Sequence, residues 1–147
     1  MKKRTKRTDK SSLLRNVDSA KKAINIDPKN YFKLPKELKE RQGLAALAIK
    51  KTKGAAFTQM SNKIKGNRNL ALSAVKLNAE SLRHVRNDLR EGIDFDSEAV
   101  ILNPRALQYS SDRIKQNEKA VEIAARKLQE MSLYGNVLQY ADISLRK

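Results

Sequence analysis

The feature that most constrains this chain is a turn signal that returns about every 25 residues. A small turn element precedes an apolar residue about four positions on: Asp27-Pro28 leads to Phe32, Lys53-Gly54 to Phe57, Asn78-Ala79 to Leu82 and Asn103-Pro104 to Leu107. Successive turns start 26, 25 and 25 residues apart. A fifth copy, Tyr134-Gly135 leading to Leu138, follows an insertion, and its Val137-Leu138-Gln139-Tyr140 echoes Ala106-Leu107-Gln108-Tyr109. A period of this length marks stacked supersecondary units, each too small to bury its apolar face alone.

The residues inside the unit are those of helices. Asp27 and Asn103 are good N-caps, and the proline behind each sits where its missing N–H costs nothing. A helix is expected at each turn, with Phe32; Phe57, Met60 and Ile64; Leu82, Val85 and Leu89; and Leu107 and Ile114 facing the core at helical spacing. Pro35, Asn62, Asn87-Asp88 and Ser110-Ser111-Asp112 interrupt it at a nearly constant offset, which limits it to about two turns. A second, alanine-rich helix follows in each unit: Leu44 to Lys50, Leu70 to Leu77, Ala99 to Leu102 and Ala120 to Leu128. Ala45, Ala46, Ala71, Ala74, Ala124 and Ala125 would let neighbours approach closely, and Asp96 or Ser97 is the expected cap of the third.

The expectation is therefore an all-α chain: a short, right-handed-type α-solenoid of about five helix-pair repeats over residues 13–147, preceded by a basic extended arm over residues 1–12. With 39 % apolar and 33 % charged residues, 147 residues suffice for one modest core under a charged surface. The longest apolar runs, Leu44 to Ile49 and Ala99 to Leu102, are far short of the roughly 20 residues that cross a bilayer. The N-terminus is basic but has no apolar stretch of the secretory kind. No cysteine is present, which removes disulfides, thiolate chemistry and cysteine-ligated zinc and is compatible with a reducing, intracellular compartment, an organelle or a virion.

The repeats also carry a resemblance. The segment LALSAVKLNAESLRHVRNDLREG, followed by AVILNPRALQYSSDRIKQNEKAVEIAARKL, resembles the tandem repeats of domain of unknown function family 4116. Ala74-Val75, Asn78, Leu82 and Leu89 match in one unit, and Val100, Asn103, Ala106-Leu107, Tyr109 and Ile114 in the next. The first two units depart from the pattern: Lys53-Gly54 stands in place of the asparagine turn, and Phe57-Thr58-Gln59-Met60 in place of the Leu-x-Tyr segment. The resemblance covers residues 20–147 and implies a helical repeat fold; it implies no mechanism and no functional residue.

Charge is the functional signal. The chain carries a net +16, and that excess falls between Met1 and Lys76, while the remainder is balanced. No carboxylate occurs between Glu40 and Glu80, where Arg41, Lys50, Lys51, Lys53, Lys63, Lys65, Arg68 and Lys76 all lie. Ahead of them stands the arm, with Lys2, Lys3, Arg4, Lys6, Arg7 and Lys10. Cations without nearby anions favour a polyanion, whose condensed counterions are released on binding. RNA is a more fitting partner than DNA, together with protein neighbours, and contacts would go to phosphates since no RRM, KH or zinc-finger signature is present.

Chemistry is poorly represented. The single histidine, His84, has only Asp88 as a local partner for acid–base work. Glu91, Asp94, Asp96 and Glu98 form an acidic cluster, but counting an EF-hand loop from Asp94 puts Ala99 and Arg105 where glycine and glutamate are required. No phosphate-binding loop, dinucleotide fingerprint or catalytic triad is present. The expectation is a non-enzymatic chain with no cofactor, no metal and no small-molecule substrate: a structural component of a large nucleoprotein assembly of the ribosome type. A protein-interaction scaffold, such as a minor capsid or cementing protein of a large virus, is the alternative.

Overall fold

The computed structural model describes residues 16–130, and among these every regular element is helical. Helix α1 (Val17–Ile26) opens on Asn16, whose side-chain oxygen accepts the Asp18 N–H at 2.8 Å. The unit that follows runs through a 3₁₀ helix η1 (Pro28–Lys33), a one-turn α2 (Lys36–Lys39) and α3 (Gln42–Lys51). The sequence then repeats the set as η2 (Ala55–Gln59), α4 (Asn62–Lys65) and α5 (Arg68–Leu77). Next come η3 (Ala79–His84), α6 (Asn87–Arg90) and α7 (Ile93–Leu102), and last η4 (Pro104–Tyr109), α8 (Asp112–Lys115) and α9 (Glu118–Glu130).

The unit is thus not the expected helix pair. Leu34, Met60, Val85 and Ser110 each adopt an extended backbone conformation and end the 3₁₀ segment. The side chains of all four are buried, so the break turns a residue inward and splits the anticipated first helix in two. Pro35 enforces the extended conformation at Leu34; in the next unit the Ser61 hydroxyl caps α4 through the Ile64 N–H. The second helices are longer than expected. Gly92, not Asp96 or Ser97, holds the N-cap position of α7.

Four positions recur in the core of the long helices. Leu44, Ala45, Ala48 and Ile49 of α3, Leu70, Ala71, Ala74 and Val75 of α5, and Phe95, Asp96, Ala99 and Val100 of α7 are all buried. Small residues there let α1, α3, α5, α7 and α9 pack one against the next. Ala46 instead faces solvent and Ala125 is only partly covered. The 3₁₀ segments contribute Tyr31, Phe57, Leu82 and Leu107, each essentially inaccessible. The first unit therefore uses Tyr31 where Phe32 was expected, because the count to the core position starts at the capping Asp27; Phe32 is left partly exposed.

The turns hold neighbouring units together. Asp27, Asn78 and Asn103 each accept, through a side-chain oxygen, the backbone N–H two residues on, at 2.9, 3.1 and 3.2 Å. The Asn103 amide also donates to the Val75 carbonyl at 2.9 Å, which sets the C-terminal ends of α5 and α7 side by side. After α3 a different device appears: Gly54 N–H donates to the Ile49 carbonyl and Lys53 N–H to that of Lys50, a Schellman closure with Lys53 at φ 53° and Gly54 at φ 90°. A Cβ on Gly54 would lie 2.8 Å from Asn78 Cβ and 2.9 Å from the Ala74 carbonyl oxygen, so glycine is required for this turn to seat against α5. The fifth turn at Tyr134-Gly135 lies outside the described residues.

Candidate nucleic-acid interface

The cations of the acid-free stretch divide between two edges of the molecule. Lys50 and Lys51 end α3, Lys53 follows in the turn and Lys76 lies in the last turn of α5. All four are exposed, and none forms an ion pair among the described residues. Because Gly54 abuts Ala74 and Asn78, Lys53 stands next to the turn that carries Lys76. Lys50 and Lys76 occupy the same place in successive units, on helices whose axes pack roughly 8–10 Å apart. Cations at helix C-termini are also favoured by the helix dipole, which accounts for part of this placement.

Arg41, Lys63, Lys65 and Arg68 lie at the opposite ends of the long helices, about 15 Å away for a ten-residue helix. Two of them are engaged. Lys63 pairs with Glu40 at 3.4 Å, while Arg68 pairs with Glu98 and lies 5.6 Å from the centre of the Phe95 ring. Arg41 and Lys65 make no ion pair among the described residues. The structure thus gathers Lys50, Lys51, Lys53 and Lys76 and sets the other four apart, with one pair drawn from the acidic cluster of a later unit. Lys2, Lys3, Arg4, Lys6, Arg7 and Lys10 lie outside the described residues.

A second basic group escaped the sequence analysis. Lys29 and Lys33 on η1 and Lys36 and Lys39 on α2 flank Phe32 along the chain, Lys36 and Lys39 share a cleft with it, and Lys29, Lys33 and Lys36 are exposed. The signal was the three-residue spacing of Lys33, Lys36 and Lys39, obscured by the carboxylates Glu37 and Glu40 between and after them. At the positions equivalent to Lys50, Lys51 and Lys76, α7 carries Ile101 and Leu102. These remain 41 % and 37 % exposed, so the lysine edge gives way to an aliphatic one.

Three of the acidic residues singled out in the sequence, Asp88, Asp96 and Glu98, are held in ion pairs. Asp88, the only local partner for His84, is instead held by Arg86 through Nε at 2.7 Å and Nη2 at 2.5 Å. That hydrogen-bonded pairing holds the Asp88 carboxyl below the usual carboxylate range and raises the Arg86 guanidinium. Asp96 is buried against Arg90, and Glu98 is taken by Arg68. Among the described residues no three metal-ligating side chains come together, and no helix is long and apolar enough to cross a membrane. No protein-family model, curated protein or solved structure matches the chain.

Proposed function

We propose that this chain is a non-enzymatic structural and binding component of a large nucleoprotein assembly, of the ribosome type, that contacts RNA phosphates through its first units and its arm. The observation that carries the reading is the row of unpaired, exposed Lys50, Lys51, Lys53 and Lys76 on one edge of α3 and α5. Among the described residues no anion pairs with this row, and Lys50 and Lys76 within it are spaced by the helix repeat. The units stack as a short α-solenoid of the kind implied by the resemblance to family 4116, each long helix covering the core stripe of the one before. Lys50 and Lys76 on successive helices, with Lys51 and Lys53 beside Lys50, form a cluster of charges that suits a polymer of phosphates better than a small ligand.

The test is a salt series. A labelled 20-base-pair RNA duplex, followed by fluorescence anisotropy, is expected to bind at low salt and to weaken steeply as salt rises. Replacing Lys50, Lys51 and Lys76 by alanine should reduce the slope of log K against log salt by about 2–3, roughly one per lost phosphate contact. Absence of binding at low salt both to this duplex and to a single-stranded RNA, or an unchanged slope in the triple variant, would overturn the reading.

Exposed Leu77, Ile101 and Leu102 favour a second reading, a protein-interaction scaffold such as a minor capsid or cementing component, with the aliphatic edge against a protein neighbour. Nuclease treatment of the native complex separates the two. Release of the chain supports the first reading, and retention in a nuclease-resistant complex supports the second.

A further inference from the structure

We infer that the cleft between the first two units is a nucleobase-stacking site, so that the nucleic acid this chain takes is single-stranded. The inference rests on the polyanion reading above and names the substrate class for it. The cleft has a volume of about 110 Å³ and lies between η1–α2 and the end of η2, lined by Tyr31, Phe32, Lys36, Lys39, Glu40 and Met60. Its apolar wall is the edge of the core, and Phe32 is its half-buried member. Counted from the core residues Tyr31, Phe57, Leu82 and Leu107, Phe32 occupies the next position, which is Thr58, Arg83 and Gln108 in the other units. A repeat position at the edge of the core that is polar three times is aromatic once, and that once falls beside cations that form no ion pair among the described residues.

The ring is fixed in place. Phe32 meets Tyr31 edge to face at 5.3 Å between centroids, and Tyr31 is itself anchored by its hydroxyl donating to the Lys39 carbonyl at 2.5 Å. Lys29 lies three residues before Phe32, on the same face of a 3₁₀ helix with three residues per turn. Lys33 and Lys36 follow at once. An aromatic surface set among lysines binds a strand whose bases are free to leave the stack: the base takes the ring and the flanking phosphates take the cations. A duplex keeps its bases stacked and offers this ring no free base face. Glu40 lies in the cleft but is paired with Lys63, and among the described residues Glu37, on α2, is the one unpaired carboxylate of the patch besides the capping Asp27.

The chain has no tryptophan, so Phe32→Trp installs a single fluorophore in the cleft. Affinities of wild type, Phe32→Ala, Phe32→Leu and Phe32→Trp are measured for an unstructured 12-nucleotide RNA and for a 12-base-pair RNA duplex, with circular dichroism confirming the fold. Wild type should prefer the single strand. Phe32→Ala and Phe32→Leu should lose roughly five- to a hundred-fold for it and little for the duplex. Phe32→Trp should retain single-strand affinity, its emission quenched by the single strand and not by the duplex or by polyglutamate. Unchanged single-strand affinity in Phe32→Ala, or tryptophan emission insensitive to the single strand, overturns the inference while leaving phosphate binding standing. Equal quenching by polyglutamate overturns it in favour of an acidic protein. Failure of wild type to bind either RNA at low salt removes the polyanion reading itself, and this inference with it.

Discussion

Arg90 grips Asp96 through two parallel hydrogen bonds, Nε to Oδ1 at 3.0 Å and Nη2 to Oδ2 at 3.1 Å, at a register where the other long helices carry Ala20, Ala45, Ala71 and Val121. The carboxylate also accepts the Ser111 N–H at 2.9 Å, and the guanidinium reaches the carbonyls of Leu82 at 3.1 Å and Tyr109 at 2.9 Å. One ion pair therefore joins η3, α6, α7, η4 and the start of α8. It stands next to Ser110, the one polar residue in the series Leu34, Met60, Val85 and Ser110. A polar clamp here takes the place of an apolar contact.

Removing one partner of that pair leaves the other charge poorly solvated. Asp96→Ala is expected to cost about 3 kcal/mol, the lower end for a broken buried pair because Arg90 retains some exposure. The double variant Arg90→Met with Asp96→Ala should recover much of that loss, since it restores the alanine found in neighbouring units. Urea denaturation of the four proteins forms the cycle that checks it.

Lys53 sits in the left-handed region at the position of a Schellman turn that glycine usually fills. Lys53→Gly should raise stability by about 0.5–1 kcal/mol as the strain is relieved. It should also weaken RNA binding by one phosphate contact. Gly54→Ala should cost at least about 2 kcal/mol, from its φ of 90° and the backbone it would strike. Gly66→Ala, whose Cβ meets only the movable end of Arg86, should cost about 1 kcal/mol or less. Thermal melts rank the three.

Burial, reinforced by nearby Glu40, pushes the Tyr31 hydroxyl up to about 12. The unfolded phenol ionises near 10, so between these values the folded chain holds a proton that the unfolded chain has lost. Stability from this group is complete below about pH 10 and declines as pH rises towards 12, by roughly 2–3 kcal/mol. Tyr31→Phe should lose about 1 kcal/mol at neutral pH with its hydrogen bond to Lys39, and should lack this share of the alkaline decline. The absorbance titration of tyrosinate near 295 nm should show the highest transition missing in the variant.

Asn103 acts on two units at once, capping η4 with its oxygen and bonding the Val75 carbonyl with its amide. Asn78 shows only the capping bond, to the Glu80 N–H. Asn103→Ala should therefore cost about 2 kcal/mol against about 1 for Asn78→Ala. Asn103→Asp, which keeps the cap but turns an acceptor towards a carbonyl, should fall no lower in cost than Asn103→Ala. Denaturation midpoints at constant m-value decide the order.

By itself the sequence determined the helical class, the period near 25 residues, the asparagine and aspartate turns and most of the core. Each of these follows from local chemistry: a cap beside a backbone N–H, a proline that needs no hydrogen bond, apolar residues at helical spacing. Only the tertiary structure decided what depends on a neighbouring unit. The buried extended residues Leu34, Met60, Val85 and Ser110 split the first helix because packing outweighs helix propensity there. Tyr31 entered the core and Phe32 left it because the register is set by the Asp27 cap together with the adjacent unit. Asp96 became buried because Arg90 meets it from a separate helix, six residues away in sequence. The split of the cations into a row at one end of the long helices and a second group at the other, of which Lys63 and Arg68 are paired, likewise rests on which helix ends are brought side by side, a matter of stacking that charge counting along a chain does not contain.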